Sequence, residues 1–117
     1  MTELMQRILP TVQKPARYTG GEWGEIKKDL EDVRVRVAFC FPDTYEIGMS
    51  NLGMRILYGV MNGMDGVWCE RVFAPWGDME QAMRDNALPL WALESQTPVR
   101  EFDMIAFTIG YEMAYSN

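Results

Sequence analysis

Histidine is absent from all 117 residues, which removes the commonest general base and the commonest transition-metal ligand together. A Ser-His-Asp triad is excluded. Only two cysteines occur, Cys40 and Cys69, far apart and each inside an apolar run. Neither a CxxC zinc site nor a disulfide framework is available, and buried, reduced thiols of a cytoplasmic protein are the expectation. Basic side chains are scarce, with 11 Lys and Arg against 17 Asp and Glu and a net charge of -6, so a phosphate-binding surface for nucleic acid is disfavoured. Arg7, Lys14 and Arg17 are dispersed and read as a solvated face. No apolar run approaches the roughly 20 residues of a spanning helix, and "MTELMQRILP" reads without a signal-peptide h-region. No membrane segment is expected.

What is present is apolar patterning sufficient for one domain, with 48% hydrophobic residues. Leu4, Met5, Ile8 and Leu9 give a short helical pattern stopped by Pro10. The stretch "KPARYTGGEWG" then reads as a wrapping arm, and "EIKKDLEDV" as a helical turn or two. Residues 1–32 thus form an arm, and 33–117 the main domain. Within 34–41, Val35, Val37, Phe39 and Phe41 fall on one face of a strand whose alternation fades toward its end, as in a sheet covered on both sides. Leu52, Ile56, Leu57, Val60 and Met61 follow at helical spacing and are expected to form the inner face of a helix capped by Ser50 or Asn51. A second strand is expected in "VWCERVFAP". Asp78 with Gln81 suggests a capping box for a helix with Met79, Ala82 and Met83 inside. "LPLWALES" is a short strand or extended run, and "FDMIAFTIG" is a further strand. Alternating strands and helices imply an α/β fold, Rossmann-like or flavodoxin-like, with a mostly parallel sheet and helices on its faces. Because "GYEMAYSN" begins a further loop and helix start, the fold is expected to be truncated at its C-terminus, with apolar surface exposed around 107–115.

Ligands in such sheets sit beyond the carboxyl ends of the strands, which directs attention to "FPDTYEIGMSNLG". Gly48 and Gly53 permit close backbone approach, and the following helix offers free N–H groups. "GMSNLG" is neither GxGxxG nor a P-loop, however, and Asp43 and Glu46 repel phosphate. Spacing alone leaves two readings open, a cofactor cradle and a strand-to-helix turn. Asp43 and Glu46 have no evident acid–base partner, and the methionines at helical spacing read as core.

Several blocks taken together carry a resemblance: "LPTVQKPARYTGGEWG", "VAFCFPDTYEIGMSNLGMRILY", "ERVFAPWGDMEQAMR", "LPLWALES" and "FDMIAFTIGYEMAYSN". In this order they resemble the N-terminal part of cobalamin-binding-type radical S-adenosylmethionine (radical SAM) proteins. The resemblance implies a cobalamin-binding-like Rossmann domain followed, in the longer protein, by a barrel with a CxxxCxxC motif. A 4Fe-4S cluster and S-adenosylmethionine would bind that barrel. Cys40 and Cys69 cannot supply those three thiolates, so no catalytic residue, metal ligand or radical chemistry is expected in this chain. Without histidine the DxHxxG motif of base-off cobalamin domains is excluded, and any cobalt is expected to lack an imidazole ligand. The positions that the resemblance places near a corrin are Pro42, Tyr45, Glu46, Gly48 and Ser50 on the first loop, with Thr108, Gly110 and Tyr111 after the last strand. Two other readings are a cofactor-free scaffold docking on the barrel and a flavodoxin-like binder of flavin or nucleotide.

Overall fold

The computed structural model describes residues 2–109. Three strands, β1 (Val35–Phe41), β2 (Val67–Phe73) and β3 (Met104–Phe107), form a parallel sheet in the order β2-β1-β3. Helix α1 (Thr2–Ile8) lies in the arm, α2 (Tyr45–Met49) and α3 (Leu52–Asn62) connect β1 to β2, and α4 (Gly77–Asp85) follows β2. The expected α/β class and parallel sheet are present. β1 is central, paired from Val35 opposite Val67 to Phe41 opposite Phe73, and from Val37 opposite Met104 to Cys40 opposite Phe107.

The period-two pattern of β1 divides the core as its sequence requires. Val37 and Phe39 pack with Met54, Cys69, Phe73 and Leu93 on one face, while Ala38 and Cys40 pack with Val72, Ala92 and Phe102 on the other. A third cluster joins Met5 and Ile8 of α1 to Met79 and Met83 of α4, with Tyr18 and Trp91 between them. The arm therefore contributes a core of its own. Outside β2 the "LWALES" segment closes the sheet edge: Leu93 N–H donates to the Arg71 carbonyl at 2.9 Å, so this edge is covered by chain rather than left open.

One local expectation is met by a helical turn of the 3-10 type and two are corrected. "EIKKDLEDV" forms a 3-10 turn at Leu30–Asp32. Ahead of that turn the backbone of Ile26 is satisfied by distant side chains: its N–H donates to the Tyr58 hydroxyl and its carbonyl accepts from Trp68 Nε1, while Lys28 Nζ donates to the carbonyls of Asn62 and Val67. Asp78 is not the cap of α4. Trp76 holds that position, Asp78 accepts from the N–H groups of Met79 and Gln13, and Gln81 bonds Asp85. The stripe assigned to the inside of α3 mostly faces out. Leu52, Ile56, Leu57 and Val60 are exposed, and Met54, Tyr58, Met61 and Asn62 form the inner face instead. The helix is apolar on both sides, so periodicity offered two candidate faces. Its cap is Asn51, whose Oδ1 accepts from Met54 N–H at 2.9 Å.

Asn62 closes α3 onto β2. Its amide accepts from Cys69 N–H at 2.9 Å and donates to the Cys69 carbonyl at 3.0 Å, with both residues buried. Asn62→Leu leaves that strand backbone pair without partners and is expected to cost about 1–3 kcal/mol, read as a lower urea midpoint.

Candidate functional site

The chain leaves β1 toward β2 on one side and later returns to place β3 on the other, so the carboxyl ends of β1 and β3 flank the topological switch point of the sheet. The sheet order makes these two strands neighbours. Their ends are tied by Thr108 N–H, which donates to the Cys40 carbonyl at 3.1 Å.

Beyond β1 the chain turns sharply. Asp43 N–H donates to the Phe41 carbonyl, and the Asp43 carbonyl accepts from Ala74 N–H, joining the loops after β1 and β2 at 2.8 Å each. A short helix not expected from the sequence, α2, then occupies the centre of the loop. Tyr45 stands edge-on to Phe73 with ring centroids 5.5 Å apart, and burial together with the nearby Glu22 carboxylate pushes its hydroxyl pKa up. Gly48 is buried under the same ring, where an added Cβ would lie 2.1 Å from Phe73 Cε1. Its role in this fold is close packing. Glu46 accepts two hydrogen bonds from Arg17 Nε, at 2.8 and 3.0 Å. The Arg17 hydrogen bond holds its carboxyl below the usual range. Ser50 Oγ donates to the Glu46 carbonyl at 2.7 Å. Thus Tyr45, Glu46 and Gly48 are brought together on one helix with Ser50 as its C-cap, and each has a packing or bonding role within the chain. Pro42 and Thr108 are half-buried at the two strand ends. Gly110 and Tyr111 lie outside the described residues.

The space at the switch point is an apolar cleft of about 330 Å³ whose wall includes Cys40, Pro42, Val72, Leu90, Val99 and Phe107. By register Ile105 and Phe107 lie on the same sheet face as Ala38 and Cys40. Phe107 is 66% exposed, and Ile105 and Ile109 are exposed beside it. Surface exposed near Phe107 was expected; the remainder of 107–115 beyond Ile109 is outside the described residues. The Cys40 thiol lines this cleft, and burial pushes its pKa up to about 11. Among the described residues no cluster of His, Cys, Asp or Glu suits a metal ion, and no helix is long and apolar enough to cross a membrane.

Behind the β2 strand lies a charge network that sequence reasoning missed. Arg71, with 3% of its side chain exposed, pairs with Glu94 and Glu22, and its guanidinium stacks over the Tyr58 ring at 5.3 Å. On the opposite face Arg36 bonds Glu70 at 2.8 Å, together with Ser95 and Thr97. The signal was available in "VWCERVF": two adjacent opposite charges inside an apolar strand must project to opposite faces and be paired there.

A family model described as "Radical SAM proteins, N-terminal" matches residues 53–117, more than half of the chain. The chain belongs to this family. The matched span of this radical SAM N-terminal domain opens within α3 and includes β2, α4 and β3. β1 and the loop with α2 precede it. No curated protein and no solved structure matches the chain.

The thiols yield a pH prediction. Burial raises Cys40 to about 11 and Cys69 to about 12, from an ordinary 9.0. A raised folded pKa means that both thiols favour folding fully below pH 9, and that this contribution is lost as pH rises through about 11 for Cys40 and about 12 for Cys69. Stability is expected to fall between pH 9 and pH 11, and iodoacetamide at pH 8 to label Cys40 and Cys69 at least about tenfold more slowly than in urea.

Proposed function

We propose that this radical SAM N-terminal domain is a non-catalytic module whose β1/β3 cleft seats the planar face of a corrinoid. The observation that carries this reading is the apolar cleft at the switch point. Its apolar lining suits the flat face of a macrocycle better than a phosphate or a nucleotide. The described cleft is smaller than a whole corrinoid and stands at the lower end of the usual range for ligand pockets, about 300–1,000 Å³. It is therefore a seat and not an enclosure. Phe107 and Ile109 would lie against the ring, Pro42 and Thr108 would edge it, and Tyr45, Glu46, Gly48 and Ser50 would hold the loop in shape. A bound corrinoid would supply a redox-active cobalt, reached here without an imidazole. In the longer protein the domain would pack against the barrel that binds the iron–sulfur cluster and S-adenosylmethionine.

A second reading, a cofactor-free scaffold docking on that barrel, is favoured by one observation: the polar groups of Glu46 and Ser50 are engaged within the chain. Gel filtration of the protein after incubation with hydroxocobalamin separates the two. Corrinoid absorbance co-eluting with protein at near-stoichiometric ratio supports the first reading. Complete loss of corrinoid from a folded protein overturns it in favour of the scaffold.

A further inference from the structure

The outward face of α3 combines two features on one side of a single helix. Leu52, Ile56 and Val60 follow one another at four-residue spacing and are 68%, 54% and 53% exposed, which makes one continuous apolar ridge. Beside it, Gly59 and Gly63 are also four residues apart and exposed, and a Cβ added at Gly59 would meet nothing within 4 Å. They form a shallow groove parallel to the ridge. The opposite face of the helix is already occupied by the sheet through Met54, Tyr58 and Met61.

We propose that this face binds a second copy of the chain, α3 against α3 in antiparallel sense. The argument is self-complementarity: a ridge and a groove of matching spacing lie side by side on one helix, so a twofold axis places each ridge in the other copy's groove. The register that sets Ile56 over the partner's Gly63 also sets Val60 over the partner's Gly59. The same register brings Arg55 to the level of the partner's Met64 and Asp65. Arg55 is the only charged residue of α3, and Asp65 follows the helix C-terminus. Both are exposed, and neither makes an ion pair among the described residues. Arg55 meeting Asp65 twice across the axis gives the pairing its charge match and its antiparallel sense, which also opposes the helix dipoles favourably. Because an 11-residue helix offers a small contact, below the standard size for stable complexes, the dimer is weak, with a Kd on the order of 10–100 µM. The net charge of -6 on each copy opposes approach at low ionic strength, so near-physiological salt favours the dimer.

Sedimentation equilibrium from about 5 to about 500 µM in 0.15 M salt is the test. The apparent mass is expected to rise from 13.5 kDa toward twice that value. Ile56→Asp and Gly59→Leu, both at exposed positions, are each expected to weaken the dimer at least about tenfold while keeping the wild-type circular dichroism spectrum. Phe107→Asp, on the sheet face, leaves it unchanged. Val60→Cys, close to the axis, is expected to cross-link to its own copy under mild oxidation. A wild type that stays monomeric throughout overturns the proposal. So does a dimer that Phe107→Asp abolishes and Ile56→Asp leaves intact.

Discussion

Arg71→Ala is expected to lower the unfolding free energy by about 3–5 kcal/mol, the cost typical of removing one partner from a buried ion pair. The side chain sits inside the fold, between Glu94 from the segment that closes the sheet edge and Glu22 from the arm. Glu94 is the residue that suffers most. It is buried, it also accepts the Arg71 backbone N–H at 2.8 Å, and burial already pushes its pKa up against the opposing pull of the guanidinium. Without Arg71 its carboxylate must be protonated or dragged into water, while the arm loses its anchor at Glu22. For a domain with a total stability of roughly 5–15 kcal/mol, about a fifth or more of the margin goes at once. Urea titration followed by tryptophan fluorescence measures this. The double variant Arg71→Met, Glu94→Leu removes the stranded buried carboxylate and is expected to regain only part of the loss, because the backbone N–H of residue 71 loses its Glu94 acceptor and Glu22 stays unpaired. A double variant no more stable than Arg71→Ala would show that the stranded Glu94 charge is not what makes the single variant unstable.

The second large effect is expected at Gly48. Gly48→Ala puts a methyl group 2.1 Å from one ring carbon of Phe73 and 2.5 Å from another, and that ring is held edge-on by Tyr45. Overpacking of this kind costs about 1–3 kcal/mol. The same substitution at Gly59 has the opposite expected sign, because its Cβ enters open space on an exposed helix interior; a gain of about 0.5–1 kcal/mol follows from propensity. Measuring both by urea denaturation tests whether the first-loop glycine serves packing. Equal, small effects at the two positions would contradict that assignment.

These two sites also mark how far the sequence could be read. The parallel sheet was legible because β1 alternates and β3 is apolar, and alternating strands and helices leave few other topologies. That β1 and β3 are neighbours, which creates the switch point, followed from no local pattern. The helix α3 misled because Leu52, Ile56 and Val60 make a better stripe than the residues that are buried; its true inner face relies on Tyr58 and Asn62, whose polar ends find partners. Gly48 was noticed for the right property, close approach, but the approaching group is Phe73. The charged residues of β2 were passed over, since their partners Glu22, Glu94 and Ser95 lie far away in sequence. The cleft likewise combines Cys40, Val72, Leu90, Val99 and Phe107 from five separate stretches. No linear motif could have assembled it.

We propose that the seat is the β1/β3 cleft, while α2 packs on the other face of the sheet, where Tyr45 meets Phe73. Equilibrium dialysis against hydroxocobalamin, comparing wild type with Phe107→Asp and Ser50→Ala, tests this most directly. Phe107→Asp puts a charge on the apolar wall and is expected to weaken binding at least about tenfold, whereas Ser50→Ala, which loses only a bond inside α2, is expected to change it less than about twofold. Binding that survives Phe107→Asp and fails in a folded Ser50→Ala would contradict the account, because the ligand would then be held by the loop and not by the cleft.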